Sequence, residues 1–372
     1  MIERLEKIFI DEKSLDSEVA QRAFQLFPRQ KIEVVKEEPW SDIKRSLTAE
    51  EFERSKKNIF LTTFNGQFFK RCPGSTQKKV LNCCNYHILN LGSQCPMNCS
   101  YCYLQSYLNS PISKIYTNID QALSELKEMA DANSHLPFRV GTGEIIDSLA
   151  LDPLTLYSRK LIEFFKQYPK WTLEFKTKSN LVDQFLDLGP ATNTIVSWSL
   201  NADYVIQKEE HLTASLSDRL QAAQKCLSSG FSVAFHLDPL IYHEGWKENY
   251  ADLVDRITTQ FTPSQVNVIS LGTLRFQPEQ RFMMKKRFGF DSLVNQAEMF
   301  PSEGAKLRYD ASLRNEMFKF VYSRFKSHSE SWRIFLCMET PETWISTFES
   351  QPMNKPELKE LFRPLPTISV SE

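Results

Sequence analysis

His87-Ile88-Leu89-Asn90-Leu91-Gly92-Ser93-Gln94-Cys95-Pro96-Met97-Asn98-Cys99-Ser100-Tyr101-Cys102-Tyr103 is the stretch on which the reading of this chain turns. It starts as a short apolar run, His87 to Leu91, with the character of a strand. It passes directly into three cysteines spaced Cys95-x-x-x-Cys99-x-x-Cys102. A four-iron four-sulfur cluster usually takes four thiolates. A tight group of three holds three irons and leaves the fourth open to a small ligand. The competing reading is a zinc knuckle, but no second Cys-x-x-Cys pair or ligand-spaced His follows to complete one.

Outward from this stretch, apolar runs of strand length alternate with longer amphipathic segments. After His87–Leu91 the strand-like runs are Phe138–Val140, Trp171–Lys176, Thr194–Leu200, Ser232–Leu237 and Val266–Leu271. Segments with helical spacing, such as Ala122-Leu123-Leu126 and Leu161-Ile162-Phe165, lie between them. Repeated strand–helix alternation predicts a parallel sheet with helical crossovers, in the α/β class. Rolled up, it makes a partial (β/α)6 TIM-like barrel whose chemistry belongs at the carboxyl ends of the strands. The cysteine loop, directly after the first strand, obeys that rule. The expected organisation is an N-terminal α/β region over residues 1–80, the barrel over 81–330 and a C-terminal extension over 331–372. Glu37-Glu38-Pro39 reads as a break in the first region, and the residues beyond Pro364 are expected to be disordered.

Composition narrows the setting. The 372 residues are 41% hydrophobic and 24% charged, as in ordinary globular proteins. The N-terminus is charged at once and lacks a signal peptide's apolar core, and no run of about 18 apolar residues predicts a membrane span. Eight cysteines in such a chain point to reduced thiols and metal ligation, with the cytoplasm as the expected location. A net charge of −1 argues against wholesale nucleic-acid binding. A local footprint remains between Arg281 and Lys326, where Arg281, Lys285, Lys286, Arg287, Lys306, Arg308, Arg314, Lys319, Arg324 and Lys326 recur, although such runs are commonly solvated helix faces.

The cysteine spacing, with an aromatic between the second and third cysteines, resembles the radical S-adenosylmethionine (SAM) superfamily. The resemblance implies that Cys95, Cys99 and Cys102 bind a 4Fe-4S cluster whose open iron takes the amino and carboxylate groups of SAM. One electron then cleaves the sulfonium to a 5′-deoxyadenosyl radical. After the second strand, Gly141-Thr142-Gly143-Glu144 combines small residues, which let backbone approach a ligand, with a carboxylate able to accept bonds from an ammonium group. On its own it is also a plain strand-to-helix turn. It is similar to the superfamily's Gly-Gly-Glu element, which implies that Gly143 and Glu144 hold the methionyl amine.

A closer resemblance runs from about His87 to Phe276, to the spore photoproduct lyase family. It is carried by Cys99-x-x-Cys102-Tyr103-Leu104-Gln105, Thr177-Lys178, Ser199-x-Asn201-Ala202-Asp203-Tyr204-Val205, Arg219-x-x-Ala222-Ala223 and His243-Glu244-Gly245-Trp246. It implies that Lys178 and Ser199 contact SAM and that Asn201, Asp203 and Tyr204 shape the same wall. Tyr101 and Tyr103 would relay a radical back toward the cofactor, with Tyr101 also beside it. The family's reaction removes a hydrogen from carbon six of a methylene-bridged thymine dimer, breaks the bridge and returns a hydrogen from a cysteine just after the second strand. A DNA or nucleobase substrate and a flavodoxin- or ferredoxin-type reductant are the implied partners.

The chain departs from that pattern at the last step. Aligning Asp147-Ser148-Leu149-Ala150-Leu151-Asp152 with the family puts Glu144 where the hydrogen-donating cysteine belongs, and no cysteine lies between Cys102 and Cys226. A carboxylate O–H is too strong a bond to serve. Cys337, in Phe335-Leu336-Cys337-Met338-Glu339, is the expected replacement donor, with Cys226 on an apparent helix as the lesser candidate. A lone Cys is more commonly a small core residue, and that reading stands beside the donor role for both. Cys72, Cys83 and Cys84 form a looser group able to ligate an additional cluster or to stand as structural thiols. His236 and Asp238 end the fifth strand, where His236 would bond the cofactor ribose or sit satisfied in the core; His243 and Glu244 are open to a structural role. Two other functions stay open: radical chemistry on a peptide, nucleoside or metabolite, and a non-catalytic DNA-binding relative.

Overall fold

The computed structural model describes residues 2–40, 47–72, 81, 86–302 and 305–364. Cys83, Cys84 and the stretch beyond Pro364 lie outside them.

The sheet that positions the site has eight strands: β1 (Phe69–Arg71), β2 (His87–Leu89), β3 (Phe138–Gly141), β4 (Trp171–Thr177), β5 (Ala191–Ser199), β6 (Phe231–Leu240), β7 (Val266–Thr273) and β8 (Ile334–Leu336). They lie side by side in chain order. From β2 to β8 every neighbouring pair is parallel, while β1 runs antiparallel to β2. The six strands expected from the sequence are all present, and β8 adds a seventh parallel one. β1 and β8 do not pair, so the barrel stays open. All eight residues of β7 are buried, the pattern of a parallel strand covered on both faces.

Helices Ile119–Ala132, Tyr157–Lys166, Leu216–Ser228, Trp246–Gln260 and Ala311–His328 provide crossovers. Their apolar stripes explain the docking. In the first, Ile119, Ala122, Leu126 and Ala130 share one face and are buried. Leu216–Ser228 begins under a Ser215 cap that accepts from the Asp218 N–H.

A second sheet has the order Ile32–Val35, Lys7–Asp11, Asn58–Thr62, Ser113–Tyr116, Gly92–Ser93. Its last two strands flank the cysteine loop and pair antiparallel, Gly92 with Ile115 and Ser93 with Lys114. The loop is therefore clamped at both ends. Its middle is moored as well, because Asn98–Cys99 pairs antiparallel with Glu210–His211. On the open side of the barrel the Phe362 ring sits 5.1 Å from that of Phe335 and 3.8 Å from the Arg139 guanidinium. No described helix is long and apolar enough to cross a membrane.

Candidate active site

A cavity of about 430 Å³ opens at the carboxyl ends of the strands, and Cys95, Cys99 and Cys102 share its wall. Met97, Cys99 and Ala150 form the apolar backing against which Cys95, Tyr101 and Cys102 pack. The loop backbone is held by specific bonds: the Gln105 amide donates to the Cys99 and Ser100 carbonyls at 3.2 and 2.7 Å, and the Ser100 N–H donates to the Glu209 carbonyl at 2.8 Å. Burial, then the nearby Asp147 and Cys102, pushes the Cys95 thiol up to about 12, and burial pushes Cys99 well above its ordinary value. Thiols so disfavoured as free anions become stable thiolates when metal-bound. A cation is already in place beside them. Lys56, buried, donates from Nζ to Gln94 Oε1 at 2.9 Å and to the Cys95 carbonyl at 3.1 Å. Burial lowers its pKa to about 8, against the upward pull of the three cysteines. Among the described residues no three His, Cys, Asp or Glu side chains converge on a single-ion site. Three soft sulfur donors on one wall, backed by a buried ammonium, suit an iron–sulfur cluster bound iron by iron.

The turn after β3 faces these cysteines. Gly143 and Glu144 line the cavity, and a Cβ at Gly143 would meet the Lys176 carbonyl at 2.8 Å, so only glycine fits against β4. Asp147 fastens this turn: its carboxylate accepts from the N–H groups of Leu149, Ala150 and Lys178 at 3.0, 2.9 and 2.8 Å, and from Thr177 Oγ1 at 2.7 Å. Burial raises the Glu144 carboxyl, opposed by Lys176, Lys306 and Lys70. Tyr103, also on the wall, donates its hydroxyl to the Glu144 carbonyl at 2.5 Å. Tyr101 donates its hydroxyl to Glu210, which pairs with the fully buried Arg219 at 2.7 Å. The Lys178 ammonium stands 5.7 Å from the Tyr101 ring centre, and Arg219 also donates to the Ser199 carbonyl at 2.8 Å.

Deeper in the cavity lies a charge network the sequence did not announce. Glu174 on β4 accepts from Arg139 Nε at 2.6 Å, from Ser197 Oγ at 2.6 Å and lies 3.0 Å from His236 Nε2. Burial alone would raise this carboxyl, yet Arg139 and His236 outweigh it and hold it far below the usual range. Burial, then Lys176, lowers His236 to about 4, so the imidazole is neutral. Nearby, Asp238 takes both Nη groups of Arg275 at 3.0 and 2.9 Å, and Arg275 Nη2 also donates to Cys337 Sγ at 3.8 Å.

The cavity thus gathers Cys95, Cys99, Cys102, Tyr101, Tyr103, Gly143, Glu144, Lys178, Ser199, His236 and Cys337, together with Cys72. Asn201 stands behind the wall, donating to the Pro239 carbonyl at 2.8 Å and accepting from Tyr250 at 2.9 Å. Asp203 pairs with Arg256, and His243 spans the Ile241 carbonyl and Asn249 at 2.9 and 3.0 Å as part of the scaffold. Cys226 is buried in its helix, away from the cavity. The basic stretch needs correction. Arg287 is only 7% exposed, stacked 3.5 Å over Phe52 and bonded to Gln105 at 3.1 Å, while Arg308 is 0% exposed and bound to Glu339 at 3.1 Å. Neither can reach a phosphate. Asp147, Glu174, Arg139, Arg275 and Lys56 are the site residues that sequence reasoning missed.

An open parallel sheet that carries a three-cysteine loop after its first parallel strand is the partial-barrel architecture of the radical SAM enzymes. The family model described as spore photoproduct lyase matches residues 4–326, and the chain belongs to that family. Its relatives include the spore photoproduct lyase of Bacillus subtilis (strain 168), 28% identical over 257 residues that span 68% of this chain and 71% of that protein. The spore photoproduct lyase of Geobacillus sp. (strain Y412MC61) is 29% identical over 205 residues, 54% of this chain, so that the match spans only 60% of the relative's length. Among solved structures, a spore photoproduct lyase double mutant with bound AdoMet and dinucleoside spore photoproduct superposes with a TM-score of 0.78 at 20% identity, over 90% of this chain and 99% of that one.

Proposed function

We propose that this protein is a radical SAM lyase that repairs a methylene-bridged thymine lesion in DNA. The observation that carries the proposal is the convergence, in one cavity, of the three cysteines with Glu144, Lys178 and Ser199. Cys95, Cys99 and Cys102 would hold the 4Fe-4S cluster; Glu144 and Gly143 would meet the methionyl amine of SAM, Lys178 its carboxylate and Ser199 its ribose. Together the two cofactors supply a 5′-deoxyadenosyl radical when bound. His236, kept neutral and aligned by Glu174, would face the ribose as a hydrogen-bonding group that carries no competing charge.

The closing hydrogen transfer falls to Cys337. Its S–H bond breaks as a C–H bond forms on the substrate radical left by bridge cleavage. The resulting thiyl would regain a hydrogen from the Tyr103 hydroxyl, and Tyr103 one from the Tyr101 hydroxyl, so that hydrogen moves to the sulfur and the radical moves back toward the cofactor. Arg275, fixed by Asp238, holds the sulfur at the cavity wall. A lesion in duplex DNA would have to be flipped into this mouth, which costs least for damaged bases. The setting is cytoplasmic, with electrons from a flavodoxin- or ferredoxin-type protein.

Glu144 in place of the family's cysteine favours a second reading, in which the same radical acts on a nucleoside, peptide or other metabolite. Anaerobic reconstitution, reduction and incubation with SAM and dinucleoside spore photoproduct separates the two. Thymidylyl-thymidine is the expected product. Formation of 5′-deoxyadenosine without it would sink the repair reading and leave the second standing.

A further inference from the structure

Behind the cysteine loop, away from the cavity mouth, two cations come from opposite ends of the chain. Lys56 lies one residue past the helix Ala49–Ser55, and Arg287 lies in the helix Pro278–Phe288. Both ride on one aromatic ring: the Lys56 ammonium is 4.5 Å and the Arg287 guanidinium 3.5 Å from the Phe52 centre. Both are buried. Each ends on the cysteine loop, Lys56 at Gln94 Oε1 and the Cys95 carbonyl, Arg287 at Gln105, whose amide holds the Cys99 and Ser100 carbonyls.

Lys56 is the costlier of the two for folding. A buried ammonium whose partners are neutral oxygens gives up its hydration and gains no opposite charge in return. Phe52 gives only a cation–π contact. The loop does not need an ammonium for shape alone, since Gln94 is also held by its own amide donating to the Ser110 carbonyl at 2.9 Å. What an ammonium alone supplies is fixed positive charge against the backbone of a thiolate-ligated cluster, in a low-dielectric setting where charge acts strongly.

We infer that Lys56 is a positioning residue for the iron–sulfur cluster, which sets its reduction potential by favouring the reduced, more negative state, with Arg287 supporting it through Phe52 and Gln105. The inference rests on the cluster-binding reading above. It assigns to the N-terminal region a part in the redox chemistry of the barrel. Electron transfer to SAM remains the cluster's own reaction; Lys56 shifts the equilibrium of the preceding one-electron reduction.

The test uses the full chain as wild type, Lys56→Gln and Lys56→Arg, each studied in apo and reconstituted form. Glutamine keeps hydrogen-bond donors and removes the charge. In reconstituted Lys56→Gln, redox titration followed by electron paramagnetic resonance is expected to show at least a tenfold loss in the equilibrium constant for reduction, about 59 mV for a one-electron couple. Lys56→Arg should stay close to wild type. Apo Lys56→Gln should melt no lower than apo wild type, because the desolvated charge is gone. An unmoved potential overturns the inference. So does a destabilised apo Lys56→Gln, including one that does not fold, since that would make Lys56 a packing residue. Failure of the wild type itself to take up iron would instead strike at the cluster reading.

Discussion

Tyr103 and Glu144 meet at the cavity wall, the phenol of one donating to the backbone carbonyl of the other at 2.5 Å. The residue that the sequence aligns with the family's hydrogen donor is therefore in direct contact with the expected radical relay. Glu144→Cys should put a thiol beside that phenol. In a Cys337→Ala background, the thymidylyl-thymidine formed per 5′-deoxyadenosine should rise at least tenfold with Glu144→Cys, a ratio that loss of the carboxylate's contact to SAM does not move. No gain would show that position 144 does not face the substrate radical.

Cys337→Ala alone should still cleave SAM while clean repair falls at least tenfold, the substrate radical being diverted to adducts, and with no thiyl to carry the radical back about one 5′-deoxyadenosine should accumulate per lesion consumed. Cys72 also lines the cavity. A Cys72→Ala variant that loses repair while Cys337→Ala keeps it would move the donor to the β1 side. Chromatography of the reaction products reads both.

The Tyr101 hydroxyl is a donor to the buried Glu210–Arg219 pair. Tyr101→Phe leaves one carboxylate oxygen short of a hydrogen bond and should lower the unfolding free energy by about 1–3 kcal/mol. Urea denaturation of the apo protein measures it. No loss would mean that Arg219 alone satisfies Glu210.

Stability should depend on pH through His236. Its pKa lies near 4 in the fold, below the ordinary 6.5, so between these values the unfolded chain binds more protons than the folded one. The stabilisation is fully present above pH 6.5 and is lost as pH falls toward 4, and protonation of Glu174 adds to the loss only at still lower pH. Melting temperatures across that range should fall less steeply for His236→Gln. Equal slopes would place the dependence elsewhere.

Binding of a DNA duplex should weaken linearly in log salt, since phosphate contacts release counterions. Lys286 is exposed on its helix whereas Arg287 is not. Lys286→Ala should therefore reduce the salt slope by about one. Arg287→Ala should leave the slope alone and destabilise the cysteine loop instead. Fluorescence anisotropy at several salt concentrations separates them.

Much of this was readable in advance for physical reasons. β7 declares itself because all eight of its residues are buried. The cysteines declare themselves because a cluster demands close sulfur spacing. β8 is apolar enough to read as a buried strand, but at three residues its parallel place in the sheet emerges only from its pairing with Ile269, Ser270 and Leu271 on β7. Glu174 sits in Trp171-Thr172-Leu173-Glu174-Phe175-Lys176, where a single acid looks like ordinary strand alternation. Its role emerges only once β5 and β6 bring Ser197 and His236 beside it. Arg54-Ser55-Lys56-Lys57 likewise reads as a solvated helix end, and nothing local distinguishes Lys56 from Lys57.

The cysteine loop is moored to Glu209, Glu210 and His211, more than a hundred positions further along the chain. While the ribosome is still making the barrel, Cys95, Cys99 and Cys102 have emerged but the strand that fixes them does not yet exist. A cluster held by these cysteines as proposed would then be loaded onto a protein that has already folded, the reverse of a zinc finger, which folds upon its metal. The cell's cluster-assembly machinery would meet this protein as a finished apo form, entering through the same mouth that later admits the substrate.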